Sequence, residues 1–163
     1  MSEIVCRRPD PDEAEGVCAV FRRIVTTSFP GFPREAVHAY LEPWTTEQLR
    51  ARLERGSGVM IAAFAGSDAV GLVSGAPPEA GVGTVTWLLV DADWRGRRVG
   101  RALYEAACDA YRSLGAHKMK LTAPSERAAR FYERCGMRVE GFHPAHWYRA
   151  DFFALGVQLS SSA

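Results

Sequence analysis

The stretch that most narrows the fold of this chain is Leu88–Ala107, LLVDADWRGRRVGRALYEAA. A β-prone apolar run ends at Val90, a short acidic turn follows, and a Gly- and Arg-rich loop opens directly into an amphipathic helix. Strand, loop and helix in that order call for a sheet packed against helices. The loop also carries a chemistry. Free backbone N–H groups and the positive end of a helix dipole favour an anion at a helix start. Gly96 and Gly100 permit a close backbone approach that a Cβ would obstruct. With the helix beginning at Gly100, amides from Arg98 to Ala102 can face a ligand. Arg95, Arg97, Arg98 and Arg101 place four cations within seven residues. The loop is neither the G-x-x-x-x-G-K-[ST] phosphate loop nor the G-x-G-x-x-G dinucleotide turn. Taken alone, it reads equally as a solvated basic turn.

The rest of the chain supplies the sheet and helices. Ile4–Arg8 is a short strand stopped by Pro9. Asp10-Pro11-Asp12-Glu13 combines an N-cap, a proline at the first helical position and capping-box spacing. Ala14, Val17, Cys18, Phe21, Ile24 and Val25 follow at helical spacing. A shorter helix covers Arg34–Leu41, and Thr45 with Gln48 caps another that buries Leu49 and Leu53 and ends at Gly56. Val59–Ala65 and Ala69–Gly75 read as a hairpin around Gly66-Ser67-Asp68, Pro77–Gly83 as a loop, and Thr84–Val90 as a strand. The helix after the Arg-rich loop presents Leu103, Ala106, Ala107, Ala110 and Leu114 to a core. His117–Thr122 is a strand, Ser125 caps a helix with inner face Ala128, Phe131 and Cys135, and Met137–Phe142 and Asp151–Leu159 are the last strands.

These elements predict an α+β (α/β) fold with a mixed central sheet of about six to seven strands flanked by helices. One domain, 1–159, and a short polar tail, Ser160–Ala163, account for the 163 residues. A formal net charge of +1 gives no global field for nucleic acid or membrane. The N-terminus lacks the apolar core of a signal peptide, and no apolar run approaches the ~18 residues of a membrane span. Cys6, Cys18, Cys108 and Cys135 share no ligand spacing with each other or with the histidines. That pattern points to reduced thiols in a cytoplasmic protein without a metal site.

Position sharpens the basic loop. Arg95-Gly96-Arg97-Arg98-Val99-Gly100 resembles the acyl-CoA-binding motif Q/R-x-x-G-x-G/A of the GNAT superfamily of N-acetyltransferases, with Arg98 where the middle glycine is usual. Leu88-Leu89-Val90-Asp91 resembles the strand that lies along the pantetheine arm in that family. Ser125-Glu126-Arg127-Ala128-Ala129-Arg130-Phe131-Tyr132, continuing to Gly136-Met137, resembles the family's N-x-x-A-x-x-[FL]-Y-x-x-x-G-F segment. Ser125 stands there for the usual asparagine and Met137 for phenylalanine. The two motifs lie 25 positions apart from Gly100 to Ser125, and the likeness covers Thr84–Phe142.

The resemblance implies acetyl transfer from acetyl-CoA to an amine. It places the co-substrate against Leu88, Leu89, Val90, Arg95, Gly96, Arg97, Arg98, Val99, Gly100, Arg101, Ala102, Ser125 and Ala128. The Val90 backbone N–H becomes an oxyanion donor and Tyr132 the general acid, because a phenol stays protonated where a thiol ionises. The general base is left open among His146, Asp91, Glu79, His38, His143 and a water chain. The acceptor is a small-molecule or amino-acid-like amine, with a peptide or protein amine and a homodimer also open. Phe29, Phe32, Tyr40, Trp44, Trp147 and Tyr148 either line an acceptor pocket or form ordinary core. The competing reading is a non-catalytic acyl-CoA-binding or interaction module on the same scaffold.

Overall fold

The computed structural model describes residues 3–160, so Ser161–Ala163 of the expected polar tail lie outside the described residues. In chain order the elements are β1 (Ile4–Arg7), α1 (Ala14–Ser28), α2 (Arg34–Leu41), α3 (Thr46–Arg55), β2 (Val59–Ala65), β3 (Asp68–Gly75) and β4 (Val82–Val90). Then follow α4 (Val99–Ser113), β5 (Lys118–Ala123), α5 (Glu126–Arg134), β6 (Arg138–His143) and β7 (Phe152–Gln158). The strands form one seven-stranded sheet in the order β1-β2-β3-β4-β5-β7-β6. Every pair is antiparallel except β4 with β5. The mixed α+β sheet expected from the element order is therefore the one observed.

Local signals set the helix ends. The Glu13 carboxylate accepts from the Asp10 N–H at 2.8 Å, and a 3-10 turn, Pro11–Glu13, precedes α1. Thr45 Oγ1 accepts from the Gln48 N–H at 3.2 Å, and Gly56 closes α3 at φ +69°. The predicted inner face of α1 is buried in full. It packs with Leu49 and Leu53 of α3 on one face of the sheet, over Met60, Phe64, Leu72 and Leu89. α4 and α5 cover the other face, over Val73, Val85, Met119 and Leu155.

Two strand starts and two helix faces differ from the sequence expectation in ways that bear on the site. Asp68 pairs with Ala65 and so belongs to β3, leaving a two-residue turn. β4 starts at Val82 inside the expected loop, and only Val82, Gly83 and Thr84 pair with β5, opposite Lys118, Met119 and Lys120. Beyond Thr84 the two parallel strands part. The α4 stripe is also rotated: Leu103, Tyr104, Ala107, Cys108 and Tyr111 are buried, whereas Leu114 is 50% exposed. On α5 the fully buried residues are Ala129 and Tyr132 rather than Ala128, Phe131 and Cys135.

Tyr111 explains both the rotation and the parting. Its hydroxyl lies 2.8 Å from the Thr84 carbonyl and 2.9 Å from the Ala76 carbonyl, so a fully buried phenol finds acceptors. A Cβ at Gly83 would lie 2.3 Å from its ring, and one at Gly75 would lie 2.1 Å from its hydroxyl. The two glycines are the space the side chain occupies. At the same place the β3–β4 register slips, with Ser74 opposite Trp87 but Gly75 opposite Val85, which leaves Thr86 as an extra residue.

Tyr111→Phe should destabilise the protein by about 1 kcal/mol in urea unfolding, because two part-buried carbonyls lose the one proton they share. Burial pushes the Tyr111 hydroxyl up to about 12. The unfolded chain releases that proton first, near pH ~10. This part of the stability is therefore intact below pH ~10 and lost as the pH rises toward about 12. Tyr111→Phe should show a shallower alkaline loss between those values; equal slopes would remove Tyr111 from this role.

Candidate active site

The parting of β4 and β5 leaves the outer edge of β4 unpaired past Thr84. The Asp91 N–H donates to the Val70 carbonyl at 2.9 Å, and Leu89 faces Leu72 across the ladder. Backbone groups alternate sides along a strand. The amides of Leu88 and Val90 therefore point to the open edge. Leu89 does not: its backbone faces β3 and its side chain is buried against α1 and α3. Of the three residues expected along this edge, Leu88 and Val90 turn their amides outward and Leu89 does not.

The strand end is tied to α1. Arg95 Nε donates to the Val90 carbonyl at 3.2 Å, and its Nη2 donates to Ser28 Oγ at 2.7 Å. Arg23 Nε donates to Asp91 Oδ2 at 3.1 Å, and its Nη2 closes an ion pair with the same oxygen. Arg95 thus holds the Val90 peptide through its carbonyl. Asp91, a candidate base, has its carboxylate engaged by a guanidinium. Neither Arg23 nor Ser28 stood out in the sequence, since an exposed residue on an amphipathic helix carries no mark of a partner 68 positions away.

The loop leaves a run of backbone donors free. From Gly96 to Arg101 no backbone N–H has an acceptor among the described residues, and the α4 ladder opens with Ala102 N–H to the Arg98 carbonyl at 3.0 Å. Gly96 sits at φ +74° and Arg98 at φ +65°, ψ 10°. Arg98 is therefore a left-handed N-cap, a conformation a glycine adopts freely. The arginines divide their work. Arg97 lies over the Trp94 ring at 4.9 Å, and Arg101 binds Glu105 at 3.0 Å and the Arg134 carbonyl at 3.4 Å. Arg98 is exposed at the loop tip, and no hydrogen bond or ion pair engages its side chain among the described residues.

α5 closes the other wall. Ser125 Oγ accepts from the Ala128 N–H at 3.1 Å, so both residues serve the helix cap. A Cβ at Gly100 would lie 3.2 Å from Phe131 Cζ and 3.6 Å from Val90 Cγ2, which brings the cradle, the strand end and α5 together. The Tyr132 ring packs 5.1 Å from Phe131 and 6.5 Å from Tyr104. Burial, then Cys135, holds the Tyr132 hydroxyl well above the ordinary phenol range. The unpaired hydroxyls sealed from solvent among the described residues are those of Ser74 and Tyr104. Tyr132, 9% exposed as a residue, makes no side-chain hydrogen bond among the described residues. A protonated, unpartnered hydroxyl beside an anion cradle can donate a proton to a leaving group.

The remaining candidates separate. His146 stacks on His143 at 4.8 Å and lies among Trp147 and Phe152, in the β6–β7 loop. Glu79 bridges Val82 at the opposite end of β4 from Val90, and His38 is exposed on α2. Trp44 is core, stacked on Phe21 at 3.7 Å. Phe29, Phe32, Tyr40 and Tyr148 instead join Trp87 in a half-buried aromatic cluster, with Tyr40 5.1 Å from Trp87 and 5.7 Å from Tyr148.

Residues 21–137 match the family model described as the acetyltransferase (GNAT) family. Comparison with curated proteins returns no match. The acetyltransferase of GNAT family from Streptococcus pneumoniae superposes with a TM-score of 0.82 at 17% identity, covering 97% of this chain and 100% of that one. PaiA N-acetyltransferase from Thermoplasma acidophilum, solved with coenzyme A, gives 0.80 at 18% identity over 96% of this chain and 99% of that one. The yncA protein from Salmonella typhimurium, solved with acetyl-CoA, gives 0.78 at 17% identity over 99% and 97%. These likenesses show a shared fold.

Arg98→Gly should raise the unfolding free energy by about 1 kcal/mol, since an L side chain in the left-handed region costs about 1–2 kcal/mol against the extra chain entropy of glycine. Arg98→Ala removes the cation and keeps the strain. Thermal melts should separate the two, and an Arg98→Gly protein no more stable than Arg98→Ala would show the backbone there to be relaxed.

Proposed function

The chain belongs to the GNAT acetyltransferase family, and from that premise we propose that a single domain, residues 1–159, transfers an acetyl group from acetyl-CoA to a primary amine. The observation that carries this reading is the continuity of unpaired donors. The outward amides of Leu88 and Val90 lead into the unpartnered amides of Gly96 to Arg101, with Tyr132 packed on the adjoining helix. The residues present suit the co-substrate: a cradle of amides for a pyrophosphate, a strand edge for an amide-bearing arm, and a hydroxyl for a sulfur.

Acetyl-CoA, when bound, supplies the thioester carbonyl that an amine attacks. The chain's own groups then act in sequence. The Val90 N–H is aimed to stabilise negative charge developing on the carbonyl oxygen; one such donor is worth about 2.7–4 kcal/mol. Arg95 holds the Val90 peptide in place from the carbonyl side. As the new N–C bond forms and the C–S bond breaks, Tyr132 gives its proton to the departing sulfur. The amine's surplus proton leaves to water, water returns a proton to Tyr132, and Asp91 stays engaged by Arg23. Arg97 and Arg98 add cationic charge at the phosphate end. No helix among the described residues is long and apolar enough to cross a membrane, and four free cysteines suit a cytoplasmic setting.

Titration calorimetry with acetyl-CoA should give saturable heat; its absence would overturn this reading. Tyr132→Phe should lower kcat by about 10²-fold with the acetyl-CoA Kd unchanged. An unchanged kcat would take the acid role from Tyr132. Acetyl-CoA binding with no amine acetylated would leave a binding module instead of an enzyme.

A further inference from the structure

The aromatic cluster beside the strand end belongs to neither hydrophobic core in full. Phe29, Phe32, Tyr40 and Trp87 are half-buried, and Tyr148 is 37% exposed. They come from four separate places: the end of α1, α2, β4, and the loop between β6 and β7. Trp87 lies three residues before Val90 on one strand, hence roughly 10 Å from the outward amide. Its neighbours on the same face are the α1 and α2 aromatics, at 6.5 Å for Phe29 and 5.1 Å for Tyr40.

Tyr148 is held there against its conformational preference. Ala145, Tyr148 and Arg149 have φ values of 46°, 53° and 63°, three left-handed non-glycine residues within five positions. The loop is pinned in that shape by Asp151 Oδ1, which accepts from Ala145 N–H at 2.8 Å, and by His146 N–H donating to the Ala150 carbonyl at 2.8 Å. Its outcome is one contact across the sheet, the Tyr148 ring edge-on to Tyr40 at 5.7 Å. A strained loop that carries a half-exposed tyrosine to meet α2 is a specificity device and not core packing.

From this arrangement we propose that Tyr40, Trp87 and Tyr148 form the acceptor wall and select a primary amine on a short chain bearing an aromatic or bulky apolar group. The inference rests on the acetyl-transfer reading above. The wall contains no carboxylate, and Asp91, at the strand end, is already paired with Arg23. A polycationic acceptor would find no carboxylate among these three rings and the Asp91 carboxylate already engaged. A neutral amine, the form that attacks, is not held back by a neighbouring anion, while the rings take up the apolar body.

The test is a thiol-release assay with 2-phenylethylamine, tryptamine, butylamine and spermidine, run beside acetyl-CoA calorimetry. The arylalkyl amines should exceed butylamine and spermidine by roughly tenfold or more in kcat/KM. Tyr148→Ala, in an exposed loop, and Trp87→Leu should each raise KM for tryptamine by roughly tenfold, with kcat and the acetyl-CoA Kd little changed. A preference for spermidine, a flat profile, no turnover of any arylalkyl amine, or variants with unchanged KM would each overturn the acceptor wall while acetyl-CoA binding stands. Loss of acetyl-CoA binding in the unaltered protein would instead overturn the acetyl-transfer reading on which it rests.

Discussion

The hydrogen bonding of the Tyr111 hydroxyl to the Thr84 and Ala76 carbonyls is the interaction on which the site depends. Parallel strands pair by default along their whole shared length, since each unmade ladder bond leaves a polar group exposed. β4 and β5 give up that pairing after three residues. The loss is tolerable because β5 keeps a full antiparallel partner in β7, and β4 keeps β3. Tyr111 then fixes where the parting begins. It fills the space beside Gly75 and Gly83 and sits at the register slip that leaves Thr86 unpaired. Everything downstream on β4, including the outward amides of Leu88 and Val90, inherits its direction from that point.

The strand end must also stay in place without a ladder on its outer side. α1 supplies the hold: Arg95 links the Val90 carbonyl to Ser28, and Arg23 engages Asp91. Arg95 therefore does mechanical work within a loop that composition would assign wholly to phosphate binding, and Arg23 does the same from α1. Charge-assisted bonds of this sort are shorter and stronger than neutral ones. Each also restricts a long side chain that would otherwise blur the geometry. Arg101 is likewise engaged, with Glu105 and the Arg134 carbonyl, which ties α4 to α5. Only Arg98, in a strained left-handed conformation, is left with an unengaged guanidinium among the four.

The parts of this structure legible in the sequence are those encoded over a few neighbouring residues. The Thr45 and Ser125 caps, the Gly56 stop, the hairpin around Gly66 and the glycine-bearing loop before α4 are all local. Their geometry is observed where the residues predict it. What could not be read is long-range. Gly83 looked like loop punctuation, and its reason, the Tyr111 ring, lies 28 positions on. Tyr111 is absent from the expected helix face, and its burial makes sense only with the two distant carbonyls that meet its hydroxyl. Leu89 looked equivalent to its neighbours until the pairing with Leu72 showed which way its backbone turns.

The same distinction separates the two halves of the site. The donor half is built from backbone amides, whose demands on the sequence are negative: no Cβ at Gly100, no competing cap, a free helix start. The acceptor half is built from side chains on α1, α2, β4 and the β6–β7 loop, and no two of these elements are joined by a motif. Trp87 and Tyr148 stand 61 positions apart, yet Tyr40 contacts both. A change at any one ring alters the surface without disturbing the cradle. In physical terms the proposed donor chemistry lies in the main chain and the proposed acceptor choice in a few half-buried rings, with Trp87 and Val90 of β4 serving both.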